Sequence, residues 1–405
     1  MSTLAERLTD IIDQERDRQI DFLAAIVRMP SDNPAGDCAP HAEATARLIE
    51  ALGFTVERHA VPEELVRANG MVSATNLIVR HRFGDGPVVA LNAHGDVVPP
   101  GEGWTHDPYG AEIVDGWMYG RGVAVSKSDF ATYLWALIAL KESGAALGGT
   151  VELHFTYDEE AGGEIGPGWL LREGLSRPDY ALSAGFSYGV VNAHNGCLHL
   201  EVEVNGRSAH AAKPSDGVDA IAVACSMVTE LQKIVSREID PYDPLVVSVT
   251  GIEGGGAYNV IAPEVRLKGT IRSGHEETRQ KAWRRLRQIL EGVAATHDAG
   301  VAVNIQRGEP PVVNAPEMVA IVRQAGAEVV GRDNVLNAPG WTAADDFAFY
   351  SEKCPSVYFR LGIRNEAIEA VYPLHHPRFR VDETALPKGA MTLVSAALRF
   401  LRQPD

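Results

Sequence analysis

The sequence lacks three features that would place a protein in a membrane, in an oxidising compartment or on nucleic acid. It contains no apolar run of membrane-spanning length, and its opening stretch, MSTLAERLTDIIDQERDRQ, is charged and lacks the apolar core of a signal peptide. Its 4 cysteines are scattered and form no C-x-x-C pair. Its 37 lysines and arginines are outnumbered by 54 acidic residues, which leaves a net charge of −17.

These absences restrict the compartment and the partners that we expect. Scattered cysteines are typical of reduced thiols, so we expect a cytoplasmic protein. A strong negative charge opposes binding to phosphate backbones and to anionic lipids, so we expect neither nucleic acid nor a membrane as partner. We interpret the acidic excess as a solubility feature rather than as an acidic binding surface.

The chain does contain enough apolar sequence for more than one core. Its 405 residues, of which 45% are hydrophobic, predict two or three domains. After a helical start, strands and helices alternate, with strands at 76–81, 87–96, 149–160 and 179–184 and helices at 129–140 and 165–173. This alternation predicts an α/β domain whose mostly parallel sheet has helices on both faces and binds ligands beyond the carboxyl ends of its strands.

A second pattern begins near Cys197. The stretch LHLEVEVNG alternates with period two, as a half-exposed antiparallel strand does, and opens the order strand, helix, strand, strand, helix, strand. The first pattern returns after about residue 310. We therefore predict a main domain in two parts, 1–195 and 310–405, with an α+β (ferredoxin-like) domain inserted at 196–309.

Two motifs with metal-binding or acid-base side chains directly follow predicted buried strands. HGD places His94 and Asp96 after PVVALNA, and a metal-binding histidine is usually held by such a carboxylate on its other ring nitrogen. DEE places Glu159 and Glu160 after VELHFTY, where one acid can bind a metal and the other can act as general base. Alone, the histidine is more often structural, and DEE is as often a solvated turn.

The combination of motifs is more specific than any one of them. HGD, YGRG at the start of a helix, DEE at a strand end and a late LHHP resemble the zinc aminoacylase and carboxypeptidase G family, which includes acetylornithine deacetylase and succinyl-diaminopimelate desuccinylase. GRSAHAAKP and GGGAYNVIAPE resemble that family's dimerisation-domain motifs, and TAADDFAFY and YPLHHPRF resemble its N-acyl amino acid amidohydrolase branch. The resemblance covers residues 5–400 and implies a catalytic domain with an inserted dimerisation domain.

The resemblance assigns roles to residues of the catalytic domain. The implied metal ligands are His94, Glu160 and His375. His376 is the weaker alternative to His375. The resemblance further implies that Asp96 orients the histidine of HGD and that Glu159 is the general base.

The resemblance also assigns roles to residues of the inserted domain. It implies that His210 reaches the active site of a partner subunit and polarises the scissile carbonyl, so we expect a homodimer. It implies that Asn259 and Arg272 bind the substrate, Arg272 through a bidentate pair with a carboxylate. The expected partner is therefore a small molecule that carries a carboxylate. From the sequence alone, Arg272 is also compatible with a surface salt bridge.

Two positions depart from the family pattern. The family has an aspartate that bridges two zinc ions where this chain has Val125, and a further Glu or Asp ligand where it has Gly185. Two dications about 3.5 Å apart repel by roughly 19 kcal/mol at an effective dielectric constant near 20, and a bridging carboxylate offsets that repulsion. Neither side chain can do so. We therefore expect zinc or another divalent metal at no more than one ion per chain, or no metal.

Three residues are candidates for a replacement ligand, namely Ser126, Asp129 and His194. Asp129 lies about one helical turn beyond Val125, so its carboxylate can point back toward that position. His194 is better interpreted as a residue of the domain junction.

The leading hypothesis is a hydrolase of an amide or peptide-like bond in a small N-acyl or N-substituted amino acid. Glu159 would activate water, His210 would stabilise the developing oxyanion and Arg272 would hold the carboxylate. Two alternatives stay open. One is a metal-independent lyase or isomerase with Glu159 and His210 as base and acid, and the other is a non-catalytic homologue that binds a ligand in the same cleft.

Overall fold

A computed structural model describes residues 3–186, 190–191, 193–335, 337–338, 344–361, 381–382 and 385–402. The chain forms two compact units. The first unit comprises residues 1–193, 313–340 and 346–405, within the described ranges, and the second comprises residues 194–312 with a short piece that ends at Asp345.

The described helices and strands follow the alternation expected from the sequence. The helices are α1 Leu4–Gln14, α2 Arg16–Val27, α3 Ala39–Ala51, α4 Glu63–Ala68, α5 Lys127–Glu142, α6 Pro167–Arg172, α7 Ala220–Lys233, α8 Glu276–Thr296, α9 Pro316–Val330, α10 Ala348–Ser351 and α11 Ala385–Leu401. The strands are β1 Val56–Ala60, β2 Thr75–Arg82, β3 Val88–His94, β4 Glu112–Val114, β5 Trp117–Tyr119, β6 Thr150–Thr156, β7 Tyr180–Phe186, β8 Val190–Val191, β9 Ala193–His194, β10 Gly196–Asn205, β11 Leu245–Gly254, β12 Glu264–Ser273, β13 Gly300–Arg307, β14 Val312–Val313, β15 Asn337–Ala338, β16 Ser356–Leu361 and β17 Val381–Asp382. Among these helices, none combines the length and the apolar character that crossing a bilayer requires.

The first unit is built around a six-stranded sheet with the order β1-β2-β6-β3-β7-β16. Strands β6, β3, β7 and β16 run parallel, and β1 and β2 continue the sheet antiparallel at one edge. The predicted α/β class with a mostly parallel sheet is confirmed. Strand β1 was not predicted, because its short sequence, VERHA, is largely polar and buries few of its side chains.

Helix α5 is the most deeply buried helix of this unit. Every residue from Lys127 to Leu140 is buried, which suits a sequence that is apolar on all sides. The helix packs against α1, α2, α11 and the sheet. It begins directly after YGRGVAVS, so this packing fixes the corner that precedes it.

The second unit has a four-stranded antiparallel sheet with the order β11-β12-β10-β13. Helices α7 and α8 follow β10 and β12 in the chain, and both pack against the sheet. Alternate residues of β10 are buried in the core that the helices and sheet share, as the period-two pattern predicted. The inserted α+β, ferredoxin-like domain is confirmed.

Candidate active site and metal centre

His94 is the last residue of β3, and Asp96 follows it in a tight turn. Both are buried, with 6% and 0% of their surface exposed. The His94 Nδ1 atom lies 2.9 Å from the Asp96 carbonyl oxygen and 3.3 Å from Asp96 Oδ1. A β-carbon on Gly95 would lie 2.5 Å from the Tyr157 ring, so only glycine fits here. The turn therefore holds the Nδ1 side of the imidazole against Asp96.

The Asp96 carboxylate connects this turn to the DEE motif. Its Oδ1 accepts a hydrogen bond from the backbone N–H of Glu159 at 3.3 Å, and its Oδ2 accepts one from the backbone N–H of Glu160 at 3.2 Å. Asn33 Nδ2 donates a third hydrogen bond to Oδ2 at 2.9 Å. One buried carboxylate thus orients the imidazole and the backbone of both glutamates.

The DEE motif forms a short turn, Glu159–Ala161, after β6. His94 Nε2 lies 3.9 Å from Glu159 Oε2. One ligand atom from each of His94, Glu159 and Glu160 lies within 4.8 Å of the other two. The imidazole of His94 and the carboxylate of Glu160 are groups of the types that bind a catalytic zinc ion, and the Glu159 carboxylate lies beside them. These residues fit a divalent ion with an adjacent base.

The electrostatics of this group favour an added cation. Burial alone would lower the pKa of His94, but the hydrogen bond and charge of Asp96, with the charges of Glu160 and Asp346, raise it to about 10. Burial raises the pKa of Glu160 to about 7, although the charge of His94 opposes that rise. Because both pKa values are raised, binding of a divalent ion to these groups would be coupled to the release of protons.

The positions where the family has two further ligands offer no ligand atom. Val125 is half-buried before α5, and Gly185 lies in β7. Of the proposed replacements, Ser126 Oγ donates a 2.7 Å hydrogen bond to Asp129 Oδ2, so these two side chains bind each other. Within the described ranges, the His94 group is the only set of three or more potential ligands, and neither residue belongs to it. Neither Val125 nor Gly185 can therefore contribute a side-chain ligand to a second ion.

Three buried polar residues near this group were missed by sequence reasoning. Asn33 binds Asp96, as described above. Lys127 is fully buried, and its Nζ donates a 2.8 Å hydrogen bond to the Met29 carbonyl oxygen. Arg121 donates to the Pro100 carbonyl oxygen at 3.2 Å, and burial lowers its pKa while the charge of Glu160 opposes this. The sequence offers only a weak signal for the two cations, since they flank an otherwise apolar corner.

The second unit carries the other predicted site residues. His210 and Asn259 are exposed and adjacent, because the backbone N–H of Ala211 donates to the Asn259 carbonyl oxygen at 3.0 Å. Arg272 is half-buried in β12, and among the described residues its guanidinium has neither a hydrogen bond nor an ion pair. His199 lies diagonally from Arg272 across the β10–β12 ladder, on the face away from the core. An incompletely paired guanidinium on an open sheet face suits an anionic ligand.

Three residues named in the sequence analysis cannot be placed. His375 and His376 lie outside the described residues, and so does the side chain of His194. Their roles stay predictions.

The fold and the site together define a class of enzyme, a hydrolase with an α/β catalytic unit, an inserted α+β unit and a His and Glu centre of the metal-binding type. Residues 90–399 match the model described as Peptidase family M20/M25/M40, and the chain belongs to this family. The resemblance inferred from the motifs is confirmed.

Relatives of this chain are named for the hydrolysis of amide bonds. The chain is 31% identical to N-acetyl-L-cysteine deacetylase of Bacillus subtilis, over 78% of this chain and 75% of that protein. It is 29% identical to IAA-amino acid hydrolase ILR1-like 4 of Arabidopsis thaliana, over 82% of this chain and 77% of that protein. The fold matches the crystal structure of Bacillus subtilis YXEP protein, a dinuclear metal binding peptidase, with a TM-score of 0.70 and 23% identity over 96% of this chain and 99% of that chain. This protein is therefore an amide-bond hydrolase.

Proposed function

We propose that the protein hydrolyses the amide bond of a small N-acyl or N-substituted amino acid and that it uses at most one divalent ion. The observation that carries the proposal is the group of His94, Glu159 and Glu160, with ligand atoms within 4.8 Å of one another. The relatives named for N-acetyl-L-cysteine and for IAA-amino acids support the substrate class.

Glu159 is the general base of the proposed reaction. Its carboxylate takes a proton from water and passes it to the leaving amine, and its backbone N–H is held by Asp96. His94 and Glu160 would hold the ion, with His375 as a further ligand predicted from the sequence. A bound divalent ion would supply Lewis-acid polarisation of the carbonyl and of the attacking water.

Arg272 supports the choice of a substrate with a carboxylate. Its guanidinium is half-buried on the open face of the sheet and lacks an ion pair among the described residues. The neighbouring Thr270 and His199 add polar side chains beside it. In this proposal Arg272 binds the carboxylate of the amino acid, and His210 donates a hydrogen bond to the developing oxyanion.

A homodimer formed through the second unit belongs to the same proposal. Strand β11 has 10 residues and lies at the edge of its sheet, where it pairs with β12 alone in the described part of the chain. Val246 and Ile252 on this strand are 43% and 52% exposed. A long edge strand with exposed apolar side chains favours pairing with another chain. A second copy of this protein would cover it.

Turnover of a panel of N-acyl amino acids tests the proposed function. Free acids should be hydrolysed, and their methyl esters or amides should have a KM higher by roughly 10-fold or more, because the bidentate ion pair is lost. Arg272→Ala should raise KM for the acids and leave KM for the esters nearly unchanged. If Arg272→Ala raised KM equally for acids and esters, Arg272 would not be the residue that binds the carboxylate. Absence of turnover across the whole panel would refute the substrate class.

A further inference from the structure

The segment Ser31–Asn33, which lies between α2 and α3, pairs with the backbone beside the HGD turn. Asp32 pairs with Val97 as an isolated parallel bridge. The backbone N–H of Asn33 donates to the Val97 carbonyl oxygen at 2.9 Å, and the N–H of Val97 donates to the Ser31 carbonyl oxygen at 3.0 Å. The Ser31 hydroxyl donates to the Gly95 carbonyl oxygen at 2.6 Å. The segment is therefore fixed to both sides of Asp96.

This pairing directs the Asn33 side chain at the Asp96 carboxylate. Both side chains are buried, with 3% and 0% of their surface exposed. Asn33 Nδ2 lies 2.9 Å from Asp96 Oδ2, the shortest hydrogen bond that this carboxylate receives. The backbone donors, the N–H groups of Glu159 and Glu160, belong to the catalytic turn itself, and the imidazole of His94, 3.3 Å from Oδ1, belongs to the same centre. Asn33 therefore holds the Asp96 carboxylate from a part of the chain outside the catalytic turn.

We infer that Asn33 is a positioning residue of the hydrolytic centre, which it serves by holding Asp96 in the rotamer that orients His94 and the Glu159–Glu160 turn. This inference rests on the proposed role of that centre. Without the amide, Asp96 Oδ2 keeps one long hydrogen bond in a buried place, and a buried polar group that is short of partners destabilises the conformation that holds it there. Rotation of the carboxylate relieves this destabilisation but moves all three site residues.

The expected effect of losing Asn33 is on metal affinity and turnover, because both depend on the exact orientation of the site residues. Partners that orient metal-binding side chains change metal affinity or activity by about 10- to 100-fold when they are replaced. The buried Asn33 amide donates to Asp96 and not to His94, Glu159 or Glu160, so its loss should lower kcat and Zn²⁺ affinity more than it changes KM.

Two substitutions separate this role from a contribution to stability. Asn33→Ala removes the donor. Asn33→Asp preserves the shape but places a second carboxyl group against Asp96. When that new group is protonated it can donate to Asp96, and when it is ionised it repels Asp96. The Asn33→Asp variant should therefore regain activity as the pH falls, whereas Asn33→Ala should not.

A matched control is available in the same unit. Asn314 is also buried, and its Nδ2 donates a 2.9 Å hydrogen bond to the Tyr358 carbonyl oxygen, without contact to Asp96. Asn314→Asp should lower the thermal midpoint yet leave the shape of the pH profile and the Zn²⁺ affinity unchanged.

The experiment measures kcat, KM and pH profile of folded variants, together with Zn²⁺ affinity by calorimetry on metal-stripped protein. Support consists of a kcat and Zn²⁺ affinity lower by about 10-fold or more in Asn33→Ala and an acid-shifted profile in Asn33→Asp. Wild-type values of both quantities in Asn33→Ala, or an unshifted profile, would overturn the inference. If the wild type hydrolyses no tested substrate, the proposed substrate class fails, and the Zn²⁺ affinities alone still decide the role of Asn33.

Discussion

The Tyr358 hydroxyl oxygen lies 3.1 Å from the position that a β-carbon on Gly185 would take. Tyr358 is nearly buried in β16, the parallel neighbour of β7, in which Gly185 lies. A side chain at residue 185 would therefore press on this phenol, which would have to shift by a few tenths of an ångström. At this position the family is expected to have a metal ligand. In this chain the position carries no side chain, and Tyr358 of the neighbouring strand lies close against it.

This relationship sharpens the prediction about metal content. Metal-stripped wild-type protein, reloaded and dialysed, should hold no more than one divalent ion per chain, since Val125 and Gly185 offer no ligand atoms. Val125→Asp with Gly185→Glu should still hold one, because the new glutamate meets Tyr358. Adding Tyr358→Phe, which removes only the hydroxyl, should allow a second ion.

Elemental analysis of the three proteins decides this prediction. Two ions per chain in the wild type would refute the single-ion centre. A double variant that gains a second ion as readily as the triple variant would show that Tyr358 is no obstacle.

Replacement of the general base should separate catalysis from metal binding. Glu159→Gln preserves shape and removes basicity, so kcat should fall by roughly 100-fold or more. Glu160→Gln should instead lower metal content, because Glu160 is the proposed ligand. The measurement is kcat beside ion content for both variants. Near-normal turnover in Glu159→Gln, or metal loss confined to that variant, would reverse the two assignments.

A role for His210 in the active site of the partner subunit predicts complementation between inactive variants. His210→Ala and Glu159→Gln should each be inactive as homodimers. After the two are mixed and subunits exchange, half of the sites in each heterodimer are intact, so about a quarter of wild-type activity should return. Light scattering on the wild type provides the control for dimer formation. A monomer with full activity, or a mixture that stays inactive after proven exchange, would contradict the geometry.

Lys127 predicts how stability depends on pH. Burial lowers its pKa from an ordinary 10.5 to about 7, although the charges of Asp32 and Asp96 oppose this. Between these two values the unfolded chain binds the proton and the folded chain does not, so stability rises with pH. The slope is at most about 1.4 kcal/mol per pH unit, and below the folded pKa this lysine no longer makes stability depend on pH.

Chemical denaturation of the wild type and Lys127→Met across this range measures the effect. Methionine has a similar length and no charge, so the free energy of unfolding of the wild type should gain on that of the variant as pH rises above about 7. Parallel pH curves for the two proteins would show that Lys127 keeps its ordinary pKa in the fold.

The sequence by itself determined most helices and strands of the two main sheets, the order of the two units and the family. The apolar pattern located α6 and β6 within a few residues, because such patterns reflect which residues of an element are buried. It also brought HGD and DEE to one end of the sheet, since the carboxyl ends of parallel strands share an edge. The sequence also showed that Val125 and Gly185 lack ligand atoms, because each stands at a position that the family pattern assigns to a metal ligand.

Only the tertiary structure decided which side chains support the group of His94, Glu159 and Glu160, and which side chain lies against Gly185. Asn33 and Asp96 are 63 residues apart in the chain, and no local pattern marks an asparagine in a loop as the partner of a buried carboxylate. No local pattern distinguishes Tyr358 from the other residues of its strand, and its approach to Gly185 depends on the pairing of β16 with β7. Such contacts arise from the packing of distant segments, whereas sequence patterns report only the burial of neighbouring ones.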